Sequence, residues 1–217
     1  MKRVTYIKLI LVFIISLANF WIWRIFSQSL LLGLLLILIS VLLVFRIKIL
    51  TLVLVILLGF VLIKTNLDTN LLKVSPLEND QLVYRFEYYA QGFGKLYMNR
   101  IGLYLNYKLL PSLSKYQRNL AYNLDPNLYF FANHPRERAG IIEFGKFPAI
   151  TLPFFLFGIG LLLSGGFSFL VLYFVIAEFL SAFILPEYVL GPILIFPFVI
   201  GVLFLTFSRI LNVKYEN

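Results

Sequence analysis

Residues 30–45 read LLLGLLLILISVLLVF, an unbroken apolar run without one charged side chain. In lipid the peptide groups of such a run must bond to one another, which leaves helices or closed barrels. Barrel strands alternate polar and apolar residues, and this run does not alternate. It predicts a membrane-spanning helix. Five further runs read the same way, giving spans at about 7–23, 27–45 and 49–63, then 148–164, 167–184 and 193–208. Each approaches the ~20 residues that cross a hydrocarbon core of ~30 Å. Between the blocks, residues 65–147 mix polar, aromatic and turn residues. The expected fold is an all-α integral membrane protein of about six transmembrane helices, three plus three. Its parts are an N-terminal membrane block 1–64, a central segment 65–147 and a C-terminal membrane block 148–217.

Composition agrees with this division. At 61% hydrophobic and 13% charged residues, there is too little polar surface to clothe a soluble globule of this length. The formal charge of +9 is scattered beside the apolar runs instead of forming one basic face, so it points to topology and anionic lipid and away from nucleic acid. Lys2, Arg3, Lys8, Arg46, Lys48, Arg209 and Lys214 share one side if six helices are present. The positive-inside rule makes that side cytoplasmic. The expectation is a multi-pass protein of the inner (plasma) membrane with cytoplasmic N- and C-termini and an extracytoplasmic 65–147. The first run lacks a small-residue cleavage site and reads as a retained anchor.

Within the central segment, aromatic residues from Tyr84 to Tyr107 alternate with Arg85, Lys95, Arg100 and Lys108. Rings with nearby cations favour the headgroup layer. This predicts interfacial helices divided near Gly92 and Gly94 and ended around Pro111, or else a small cap whose tyrosines pack on each other.

The residues with chemical potential cluster in 123–159. His134, Arg136 and Arg138 offer a titratable ring and two planar forks suited to a lipid phosphate. Glu137 and Glu143 offer acceptors, and Asp125 precedes Pro126 in a turn. As a catalytic base the candidates are Asp125, Glu137 and Glu143. The plainer reading pairs Arg136 and Arg138 with Glu137 and has Asp125 organise its own turn. Glu178 stands inside the fifth apolar run, where a carboxylate faces a partner or water. The absence of cysteine and the single histidine exclude thiol catalysis and any multi-histidine metal site. Neither a resident metal nor a cofactor is expected. No phosphate loop, HExxH, GxSxG or dinucleotide fingerprint occurs.

Three phrases carry a family resemblance: DPNLYFF at 125–131, LPFFLFG at 152–158 and LPEYVLGPILIFPFVIG at 185–201. They resemble the C-terminal part of bacterial polytopic glycosyltransferases of the GT-C type, related to protein O-mannosyltransferases and dependent on lipid phosphosugars. The likeness covers about half the chain. It implies a place in cell-envelope glycan or lipid-linked sugar metabolism, with membrane lipids, a polyprenyl-phosphate-linked sugar and a larger membrane protein as partners. Family members carry a catalytic acid in the first outer loop. Here that loop, RIFSQ at 24–28, has none. The resemblance therefore implies an accessory or lipid-phosphate-binding component. A minimal or split glycosyltransferase, a small transporter using Glu178 and an assembly scaffold are the alternatives.

Overall fold

Among the described residues the apolar runs are largely helical, with breaks at capping residues such as Asn19 and Ser29. The computed structural model describes residues 2–68, 71, 73, 75–94, 99–105, 109–131, 146–165, 167–184 and 190–212. Among these the chain is all-helical, apart from one isolated antiparallel bridge between Leu67 and Ile184. The N-terminal block holds α1 (Lys2–Leu17), α2 (Phe20–Gln28), α3 (Leu30–Val44) and α4 (Lys48–Asn66). The central segment holds α5 (Pro76–Phe93), α6 (Arg100–Tyr104), α7 (Leu110–Asn123) and α8 (Asn127–Phe130). The C-terminal block holds α9 (Leu152–Ser164), α10 (Ser168–Ser181) and α11 (Phe196–Ile210).

The run expected as one span at 7–23 is two helices, with a bend of 79° between α1 and α2. Asn19 causes it: its Oδ1 accepts the Trp21 N–H at 2.9 Å and starts a new helix instead of continuing the old one. Conversely, α4 continues through Lys64 to Asn66, past the expected end at 63. Pro111, expected to end a helix, sits in the first turn of α7. A proline's fixed φ and missing N–H suit that position. The expected division near Gly92 and Gly94 falls where α5 ends at Phe93, with Gly94 at φ +58°.

Among the described residues two helical stretches, Lys48–Asn66 and Ile193–Ile210, have the length and apolar character to cross a bilayer, and counting each bent pair as one crossing gives up to four. The sequence offered six runs, and length explains the difference. At ~1.5 Å per residue, α3 with 15 residues, α9 with 13 and α10 with 14 fall short of a ~30 Å core.

The two long stretches play opposite parts. Ile193–Ile210 is 83% buried, the hub against which α1, α3, α9 and α10 pack. Lys48–Asn66 is 28% buried and turns Ile49, Leu57 and Phe60 outward. An apolar helix so exposed suits lipid and would be a liability in water. α4 and α10 run parallel. At one end the Arg46 guanidinium lies 5.3 Å over the Phe167 ring; at the other the Asp68 N–H donates to the Phe183 carbonyl at 3.0 Å. α9 meets α11 closely at Gly158, where a Cβ would stand 2.5 Å from the Val202 carbonyl oxygen. Beside it the Thr206 hydroxyl donates to the Phe154 carbonyl at 2.7 Å. Small residues and hydroxyl bonds hold helices together where lipid removes the hydrophobic incentive.

Candidate functional site

α7 lies across the ends of α4 and α10 with an unusual polarity. Its buried residues are Lys115, Asn119 and Asn123, an i, i+4, i+8 stripe on one face. Leu110 and Leu113 are exposed. A polar stripe can be buried only if it finds partners, and most of this one does. Lys115 Nζ donates to Glu78 Oε2 at 2.9 Å and to the Lys73 carbonyl. Asn119 Nδ2 donates to Asp68 Oδ2 at 3.1 Å and to the Ala182 carbonyl at 3.2 Å. Because both partners are acceptors, they fix the amide's orientation.

The neighbouring aromatics reinforce the docking. Tyr116 Oη donates to the Phe179 carbonyl at 2.9 Å, and its ring packs on Phe179 and Phe183. Tyr129 Oη donates to the Asn123 carbonyl at 2.7 Å. Burial, and less strongly the Glu178 charge, pushes the Tyr116 phenol up to about 12. Burial first, then the Glu178 and Asp125 carboxylates, raises Tyr129 well above the ordinary tyrosine range. Both phenols therefore remain protonated donors at neutral pH.

Glu178, singled out because it interrupts an apolar run, lies on α10 and is 5% exposed. Among the described residues its two carboxylate oxygens have no hydrogen-bond partner, nor does the hydroxyl of Ser181 three residues on. Asn119 Oδ1 and both side-chain polar atoms of Asn123 are also unpartnered. Asn119 and Asn123 lie on α7, and Glu178 and Ser181 on α10, the helix that α7 meets through the Tyr116 and Asn119 hydrogen bonds.

The other expected residues divide into two sets. Asp125 is described and is structural: its Oδ1 accepts the Asn127 N–H at 2.9 Å, and its carbonyl accepts Leu128 N–H at 3.0 Å, opening α8. His134, Arg136, Glu137, Arg138 and Glu143 lie outside the described residues. The flanks of their segment are held together. Phe147 N–H donates to the Tyr129 carbonyl at 2.8 Å, and Phe20 N–H donates to the Lys146 carbonyl at 2.8 Å. Lys146 is buried with its ammonium 4.8 Å over the Trp21 ring, beside Arg24 at the same distance.

Asp68, Asn119, Asn123 and Ser181 were not singled out by the sequence reading. The i, i+4, i+8 spacing of Lys115, Asn119 and Asn123 was a visible signal, since three polar residues on one line of a helix need a common explanation. Asp68 and Ser181 carried no such signal. Among the described residues no group of three or more His, Asp or Glu is placed to hold a metal ion.

Comparison with protein families, curated proteins and solved structures found no match.

Proposed function

We propose that this chain is a polytopic membrane component of cell-envelope glycan or lipid-linked sugar metabolism, an accessory that binds a polyprenyl-phosphate head group. One observation carries the reading. The three phrases that resemble the C-terminal part of GT-C glycosyltransferases are far apart in sequence yet share one aromatic core. Tyr129 of the first lies 6.5 Å from Phe196 of the third, Phe130 lies 5.2 Å from Phe155 of the second, and Phe155 lies 6.4 Å from Phe198. Such a shared core is what a retained family substructure would need. In this reading His134, Arg136 and Arg138 meet the phosphate, on a segment whose two ends emerge beside the same core.

The accessory role is preferred to a minimal or split transferase for two reasons. The 24–28 loop has no acid, and the Asp125 carboxylate is engaged in the α8 turn. Binding of a polyprenyl phosphate to the full chain in nanodiscs tests the reading. Each charge-assisted hydrogen bond contributes ~1.5–3 kcal/mol, so Arg136→Ala with Arg138→Ala, which removes at least two, should weaken binding by about a hundredfold or more. No binding by the natural chain, or equal binding by the double variant, together with unchanged envelope glycans on deletion, would discard it.

A further inference from the structure

The turn between α3 and α4 puts a cation where the backbone favours glycine. Arg46 follows the cap of α3 at φ +58°, its N–H donating to the Leu43 carbonyl at 3.2 Å and the next N–H, of Ile47, to the Leu42 carbonyl at 3.0 Å. Glycine takes that left-handed position without steric cost, and a residue with a Cβ does not. The Arg46 guanidinium lies 5.3 Å over the ring of Phe167, which precedes α10. Between these two elements is an open pocket. Half-buried Arg46 and exposed Lys48 and Ser168 line one part of it, and buried Leu43, Leu170 and Gly201 line another.

Among the described residues two cations and no acid line this pocket. The first turn of the 14-residue α10 forms one wall, and Phe167 at its capping position has no side-chain acceptor for the leading N–H groups. A helix start of this kind favours negative charge. A phosphate here would meet a guanidinium fork, an ammonium and a hydroxyl. The apolar surroundings decide which phosphate. Leu43 and Leu170 continue the wall inward, and Ile47, Ile49 and Leu50 beside Lys48 are exposed. A charged head carried on acyl chains matches both surfaces, whereas a free anion matches only the first. We propose that this pocket binds the phosphate headgroup of an anionic phospholipid, at the end of α4 and α10 away from α7. In the topology expected from the sequence, that end meets the cytoplasmic leaflet, whose anionic lipids give it a negative surface potential. The site shares no residue with the glycan reading and does not rest on it.

The test titrates the purified full chain in detergent micelles with phosphatidylglycerol or phosphatidylcholine at constant ionic strength and counts retained lipids by native mass spectrometry. The expected result is saturable binding that prefers phosphatidylglycerol about tenfold or more. Loss of one charge-assisted contact should weaken it about tenfold or more in Arg46→Gly, and Lys48→Gln and Ser168→Asp should weaken it too. Glycine relieves the φ at 46, and aspartate suits the first turn of a helix, so unchanged thermal unfolding is expected in both. Should any one variant misfold, the other two decide. Arg209→Gln with Lys64→Gln removes more charge elsewhere and should leave binding intact. Three results would overturn the proposal: equal affinity for the two lipids, an equal loss in the Arg209 and Lys64 variant, or undiminished binding in Arg46→Gly. A fourth is displacement of the lipid by inorganic phosphate at matching concentration, which would assign the pocket to the free anion.

Discussion

Gly158 and Gly160 stand two positions apart in the LPFFLFGIG run and differ completely in surroundings. A Cβ at Gly158 would meet the Val202 carbonyl oxygen at 2.5 Å, whereas one at Gly160 would meet nothing within 4 Å. Backbone cannot swing aside as a flexible side chain can. Overpacking of this kind costs about 1–3 kcal/mol. Gly158→Leu is therefore expected to lower thermal stability in detergent by that amount, and Gly160→Leu to leave it nearly unchanged. Equal losses at both positions would mean that α9 does not pack on α11 through Gly158.

At the scale of elements, the central segment is tied together by one ion pair reused as a cap. Ser75 and Glu78 form a reciprocal cap at the start of α5: Glu78 Oε2 accepts the Ser75 N–H at 2.8 Å, and the Ser75 hydroxyl accepts the Glu78 N–H at 3.2 Å. The same Glu78 oxygen receives Lys115 of α7. The Ser75 N–H first, then the Lys115 ammonium, hold the Glu78 carboxyl below its usual value of 4.5. A carboxyl lowered in the folded state stabilises above its unfolded pKa and loses that contribution as pH falls through the folded one. The tie between α5 and α7 should thus be complete above about pH 5 and weaken as acid is added below 4.5. Amide exchange in 76–93 should show this loss, and Glu78→Gln should remove the pH dependence. Because the Glu78 side chain is 38% exposed, solvent screening keeps the effect small and salt-sensitive.

For the molecule as a whole, the parallel α4 and α10 define two ends, one with Arg46 over Phe167 and one with Asp68 against Phe183 and α7 across it. With the six crossings expected from the sequence, the positive-inside pattern predicts that the first end is cytoplasmic. Reporter fusions should therefore place residues 65–147 on the opposite side from both termini. A cytoplasmic signal from fusions within 76–123 would reverse the topology.

The helical, membrane-suited character of the chain was legible in residues 30–45 alone, because unsatisfied peptide groups are intolerable in lipid and periodicity distinguishes helix from strand. Glu178 was legible for the same reason, as a charge within an apolar run. Three things required the tertiary structure. The break at Asn19 turns on whether a side chain caps a new helix, a choice apolar content does not encode. The division of labour between the buried Ile193–Ile210 and the outward α4 depends on which neighbours surround each, since both are comparably apolar. The docking of α7 on α10 through Tyr116 and Asn119 joins helices more than 40 residues apart, and local spacing carries no information about a partner that distant. Sequence determined the solvent each segment needs; packing decided which polar groups would be shut away from it together.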